Sequence, residues 1–210
     1  MGQVVVDLSV SLDGFITAPA PSRQAGLGVG GERLHDWLFS GDTPSAANPM
    51  FRPIAGSRKV FEDFVRNTGA VIVGRRWFDI VDGWGGQPPL PARYFVLTHT
   101  VPPAWKDRAA QSPFTFVTDG LTSALEQARG AAGDRDVAVG GANVAQQCLM
   151  AGLLDEIQLH VVPVLFGGGT RLFADLGAAP IALRQIAVCH AQDVSHLRFR
   201  VVKPAASGRS

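Results

Sequence analysis

The sequence predicts an α/β fold: a mostly parallel central sheet flanked by helices, with a C-terminal antiparallel hairpin at one edge. Three observations carry that expectation. Short, wholly apolar runs such as Val71-Ile72-Val73 and Val137-Ala138-Val139 alternate with segments of helical spacing, the pattern of strands buried on both faces. Several of these runs stop at a glycine or a small polar cluster, where a strand hands over to a helix or a ligand. The last part of the chain then shows strand patterns with no helix between them.

Taken in order, Val4 to Val10 is a β-branched run suited to a buried strand, and Asp13-Gly14 turns the chain before Phe15-Ile16-Thr17. Pro19 to Gly31 is rich in Pro, Ser and Gly and reads as a loop. Glu32 to Phe39 predicts a short helix carrying Leu34, Trp37 and Leu38, and Ser40 to Ile54 an irregular connection. Ser57 to Asn67 places Val60, Phe61, Phe64 and Val65 at helical spacing, with Ser57 as N-cap. Strands follow at Ala70 to Gly74, Tyr94 to Thr98, Phe114 to Val117 and Val137 to Val139. Helices are predicted at Leu121 to Ala131 and from the Gly140-Gly141 pair to Ala151. Glu156 to Val164 is a long strand, Gly167-Gly168-Gly169 a turn, and Ile181 to His190 with His196 to Lys203 the hairpin. In its second arm Leu197, Phe199 and Val201 alternate with Arg198 and Arg200. No repeat, charge block or long linker divides the chain, so residues 1–210 read as one domain, with a loop-rich insertion at 26–55 and a tail at 204–210.

Composition narrows the function classes. A net charge of +1 without a Lys/Arg block gives no field for nucleic acid. The N-terminus has no basic and apolar leader, and nowhere do about 18 apolar residues run together, so a cytoplasmic protein without membrane contact is expected. Cys148 and Cys189 lack CxxC spacing and read as reduced thiols, and no repeated His/Asp/Glu spacing suggests a metal. A GxxxxGK[ST] phosphate loop and a GxSxG nucleophile elbow are both absent.

Three strand ends could carry chemistry. Gly140-Gly141 ends a strand and opens a helix, so bare backbone N–H groups and the helix dipole can meet a phosphate. Gly74-Arg75-Arg76 offers guanidiniums at another helix start, and Thr98-His99 supplies hydroxyl and imidazole donors at a third strand end. Converging in one crevice, these clusters suit a dinucleotide. Trp84, flanked by glycines, reads as an edge or lid aromatic, and His35 as a residue facing the pocket. His160, His190 and His196 read as ordinary strand and turn positions.

Together these segments resemble the dihydrofolate reductase-like superfamily, in particular the branch containing the riboflavin-biosynthesis reductase domain. The matching pieces are Ser9 to Ile16, Val71 to Phe78, Val96 to His99, Val139 to Val144 and Asp155 to Gly169. The resemblance implies NADPH bound across the strand ends and hydride transfer to a C=N or C=O bond of a small heterocyclic or sugar-like substrate. It assigns Gly74, Arg75 and Arg76 to a first phosphate turn, and Thr98 and His99 to the adenosine 2′-phosphate. Gly140, Gly141, Ala142, Asn143 and Val144 fall on the pyrophosphate turn. Asp13 and Phe15 belong to a loop over the nicotinamide, and Trp37, Phe166 and Gly167 to the substrate side. A proton is expected from Asp36, Glu62, Asp63 or solvent: dihydrofolate reductases carry a carboxylate on their first long helix, where Glu62 and Asp63 fall, and an Asp-Trp pair such as Asp36-Trp37 is frequent in the branch. No HxE…PCxxC pattern occurs, so a fused deaminase is not expected. A homodimer fits the resemblance. The alternative is a dinucleotide-binding protein of the same fold without efficient catalysis.

Overall fold

The computed structural model describes residues 2–177 and 179–203, so the tail expected at 204–210 lies outside them. Strands are β1 (Val4–Ser11), β2 (Thr68–Gly74), β3 (Arg93–Leu97), β4 (Phe114–Val117), β5 (Asp136–Gly140), β6 (Glu156–Val162), β7 (Leu183–Ala191) and β8 (Val194–Val201). Helices are α1 (Asp36–Phe39), α2 (Arg58–Asn67), α3 (Arg75–Ile80), α4 (Leu121–Ala132) and α5 (Ala142–Met150). The strands form one eight-stranded sheet in the order β4-β3-β2-β5-β1-β6-β8-β7. The first six pair in parallel, while β8 lies antiparallel to β6 and β7, so the predicted hairpin closes one edge.

Two apolar layers cover this sheet because its central strands bury both faces. Val4, Val6, Ile72 and Val139 pack against α4 and α5 through Leu125, Ala128, Ala145 and Cys148. On the opposite face Val71, Val73 and Ala138 meet Phe61 and Val65 of α2 and Phe78 of α3. Residues of β1 therefore alternate: Val4 and Val6 serve the first layer, whereas Asp7 and Ser9 point toward the second.

Several boundaries differ from expectation for local reasons. Ser57 does not cap α2; its buried hydroxyl is hydrogen-bonded to His196 Nε2 at 2.7 Å instead. The segment expected as one helix over 32–39 divides into a 3-10 turn, Gly31–His35, and the single turn α1. Strand β6 stops at Val162, next to Pro163, which has no N–H to donate. The hairpin arms meet at a tighter turn than predicted, with Asp193 in the left-handed region at φ 58°.

Candidate active site

The carboxyl ends of β1, β2 and β5 open on a cleft of about 300 Å³. Its walls include Gly74, Arg76 and Trp77 on one side and Gly141, Ala142, Asn143 and Val144 on the other. The structure thus brings together six of the ten residues expected at the cofactor. Gly141 adopts φ 90° and precedes α5 without any side-chain cap. The amides of the first turn of α5 consequently have no intrahelical acceptor and remain available to an anion. A β-carbon on Gly140 would lie 2.5 Å from the Trp77 ring, and one on Gly141 would lie 3.2 Å away. Both glycines are thereby required for the backbone to lie against the indole. Arg76 has no side-chain hydrogen bond or ion pair among the described residues, which leaves its guanidinium free for a phosphate. These donors fit a pyrophosphate-bearing cofactor.

The remaining cofactor candidates sit around this cleft. Gly140 lines the adjoining apolar cavity rather than the cleft. Arg75 is committed to Asp79 at 2.7 Å and to the Thr100 carbonyl at 3.3 Å. Thr98 donates to that same carbonyl at 2.9 Å, and His99 is exposed beside it. Arg75, Thr98 and His99 therefore gather at the ends of β2 and β3 apart from the cleft, with Thr98 buried and His99 exposed.

The second cavity, about 430 Å³, adjoins the cleft at Leu8, Ser9, Leu27, His35 and Trp77. Trp37, Phe51, Phe61, Trp84 and Tyr94 give it an aromatic wall, and Asp7, His35 and His160 join the Tyr94 phenol as its ionisable groups. Trp84 is held at φ 49° within a left-handed turn and packs on Tyr94 with ring centroids 5.3 Å apart. Burial, followed by the neighbouring His160, pushes His35 down to about 4, so it presents a neutral imidazole near pH 7.

Of the expected substrate-side residues, Trp37 lines this cavity and donates its indole N–H to Ser9 Oγ at 2.9 Å. Asp13 acts as a loop tie: its carboxylate accepts the Ser11 hydroxyl at 2.6 Å and the Gly167 amide at 2.7 Å, and also binds the Phe166 amide. The Ser11 hydroxyl, followed by those amides, holds the Asp13 carboxyl below its usual range against the opposing effect of burial. Phe15 is buried beneath Arg171, whose guanidinium carbon lies 4.4 Å from the ring centroid. Arg171 itself lines the cleft, a cation the sequence reading did not single out.

None of Asp36, Glu62 and Asp63 lines either of these two cavities. Asp36 is exposed at the start of α1. Glu62 accepts the Ser45 hydroxyl and the Ala46 amide, both at 3.2 Å, and so fastens the 40–54 connection to α2. Asp63 is bonded by Lys59 and Arg66; Lys59 contributes most to holding its carboxyl below the ordinary range.

Sequence reasoning missed a buried polar row. Strand register aligns Ser9, His160 and His196 across β1, β6 and β8, with Asp7 one pair along the same face. Asp7 Oδ1 lies 2.9 Å from His160 Nε2, and the two Nδ1 atoms of His160 and His196 are 2.7 Å apart. His196 Nε2 then meets the Ser57 hydroxyl. The available signal was polar residues at alternating positions within otherwise apolar strands, and ordinary solvent-facing strands produce that signal too.

A search for similar proteins matches residues 3–197 to the RibD C-terminal domain. The protein YyaP of Bacillus subtilis (strain 168) is 25% identical over 183 residues, spanning 83% of this chain and 81% of that protein. Dihydrofolate reductase from Enterococcus faecalis, complexed with NADP(H), has a TM-score of 0.55 at 15% identity and covers 96% of this chain and 98% of its own. A Thermotoga maritima diaminohydroxyphosphoribosylaminopyrimidine deaminase/5-amino-6-(5-phosphoribosylamino)uracil reductase superposes with a TM-score of 0.59 at 13% identity. That match covers 96% of this chain and 57% of the Thermotoga protein. At these identities the structural likeness carries the fold alone. The family match runs through the strand–glycine–helix turn, both cavities and most of the hairpin, and it is on this match that the chain belongs to the RibD C-terminal domain family.

Proposed function

We propose that the protein is an NADPH-dependent reductase transferring hydride to a C=N or C=O bond of a small heterocyclic or sugar-like substrate. The observation that carries this reading is the joining of two unlike cavities. One has free helix amides and an unpaired arginine, and the other has aromatic walls. NADPH, when bound, supplies the hydride. Gly141, the first turn of α5 and Arg76 would hold its phosphates. The Arg75, Thr98 and His99 cluster would read the 2′-phosphate that distinguishes NADPH from NADH. Trp37, Trp84 and Tyr94 would enclose the acceptor and exclude water, a role that orientation and desolvation require. A cytoplasmic setting, where thiols such as Cys148 and Cys189 stay free, belongs to the same reading.

Titration with NADPH and NADH, followed by quenching of tryptophan fluorescence, tests it. Arg76→Ala is expected to weaken NADPH binding by about tenfold, the loss of one charge-assisted phosphate contact. NADH is expected to bind more weakly than NADPH, and a preference for NADH would sink the 2′-phosphate assignment. Oxidation of bound NADPH on adding 5-amino-6-(5-phosphoribosylamino)uracil or 7,8-dihydrofolate would then identify an acceptor class. The second reading, a nucleotide-binding protein without efficient turnover, has one observation in its favour: the three carboxylates expected to supply a proton lie away from both cavities. Tight NADPH binding without oxidation on any imine, pterin or carbonyl would favour it.

A further inference from the structure

We infer that Asp7 is the proton donor to the reduced substrate, held in place by His160, His196 and Ser57. This rests on the reductase reading and answers the question that Asp36, Glu62 and Asp63 leave open. Asp7 reaches the apolar cavity from the middle of β1, although its side chain is only 8% exposed. Of its two carboxyl oxygens, Oδ1 is bound by His160, whereas Oδ2 has no hydrogen-bond partner among the described residues. A nearly buried carboxyl with one oxygen anchored and the other free beside an aromatic pocket is arranged to hand over a proton.

The histidines fix that arrangement through hydrogen-bond polarity. With the transferable proton on Oδ2, Oδ1 can only accept, so His160 Nε2 carries the proton facing Asp7. His160 Nδ1 must then accept from His196 Nδ1–H, which leaves His196 Nε2 to accept the Ser57 hydroxyl. This register satisfies every polar atom of the row with both imidazoles neutral and leaves Oδ2 to carry the transferable proton. Burial, followed by the proximity of His160, pushes His196 down to about 4, consistent with its neutral role. The Trp37 ring packs on both imidazoles, with centroids 4.6 Å and 5.0 Å away, and prevents either from turning.

The ionisable groups surrounding Asp7, besides His160 and His196, are His35 from the 3-10 turn, Tyr94 from β3, Cys189 from β7, Asp63 from α2, Asp136 from β5 and Arg198 from β8. All but His35 and Tyr94 line a smaller cavity on the flank, which Asp7 and His196 also reach. In the step itself, hydride forms the new C–H bond and the π pair of C=N or C=O moves onto nitrogen or oxygen. The Asp7 Oδ2–H bond breaks as the new N–H or O–H bond forms. Asp7 is left as a carboxylate on His160 Nε2–H, and water returns the proton.

Asp7→Asn keeps an oxygen for His160 and removes the transferable proton. With NADPH affinity by fluorescence within about twofold of wild type, turnover of 5-amino-6-(5-phosphoribosylamino)uracil or 7,8-dihydrofolate is expected to fall at least about a hundredfold. Unchanged kcat in the variant would overturn the assignment. A readout independent of turnover is histidine side-chain ¹⁵N NMR of the wild-type protein near pH 7.5. The expected tautomers are Nε2–H on His160 and Nδ1–H on His196. His160 found as Nδ1–H would mean that Asp7 spends its proton on the imidazole, which overturns the proposal. If wild type binds NADPH but reduces neither acceptor, the reductase reading fails for those acceptors, and the tautomers decide the Asp7 arrangement separately.

Discussion

At the scale of single residues, the cleft depends on the absence of side chains as much as on their presence. Gly140 faces the Trp77 indole so closely that Gly140→Ala must displace the ring. Such overpacking costs about 1–3 kcal/mol, and here it also moves a wall shared by both cavities. We expect a lower urea midpoint, a shifted tryptophan emission and weakened NADPH binding. Combining it with Trp77→Leu should recover part of the stability; no recovery would show that the ring is not the obstacle. Arg198 poses the opposite problem. With Arg200 it neutralises Glu156, whose side chain is 3% exposed. Arg198→Ala leaves that buried carboxylate with a single, more exposed cation, Arg200. The expected loss is about 3 kcal/mol in denaturant unfolding, the range for breaking a buried pair from one side.

Among the elements, the edge strand and the loop tie invite tests. Strand β7 carries Leu183, Ile186 and Val188 at 40–44% exposure, and one edge of the strand is unpaired among the described residues. An apolar edge of this kind is a template for pairing with a second copy. We propose a homodimer through this edge, and sedimentation velocity of Ile186→Lys/Val188→Lys is expected to give a monomer where wild type gives a dimer. A monomeric wild type would end that proposal. The Asp13 carboxylate joins the turn after β1 to the backbone of Phe166 and Gly167, far away in sequence. Asp13→Ala should accelerate amide hydrogen exchange at Phe166 and Gly167 while leaving β6 protected. Exchange unchanged at those two amides would show that other contacts hold the segment.

For the whole molecule, the buried histidines make stability depend on pH. His35 and His196 are each lowered from 6.5 to about 4 in the folded state, burial being the larger cause in both. Between those values the unfolded chain binds protons that the folded chain refuses. Stability is therefore full above about pH 6.5 and falls as pH drops toward 4, by on the order of 3 kcal/mol for each histidine. Urea unfolding at pH 7.5 and pH 5 should show the decline, and His35→Leu should flatten it. An equal decline in that variant would place the acid sensitivity elsewhere.

The order of strands and helices, the termination of β5 at glycines and the antiparallel tail were legible in the sequence. Each is set locally, by apolar periodicity, by the conformational freedom of glycine or by alternation along one strand. The cleft wall from Gly141 to Val144 was legible for the same reason: these residues form one continuous turn at the start of α5. The buried row of Asp7, His160, His196 and Ser57 was not legible. Ser57 reads as a helix cap until the fold supplies His196 as its partner, and Asp7 and His160 are 153 positions apart. Those contacts exist because β6 pairs with β1 on one side and β8 on the other, in a single register. Strand order and register arise from packing the two apolar layers as a whole, so tertiary structure alone decided which carboxylate faces the cavity.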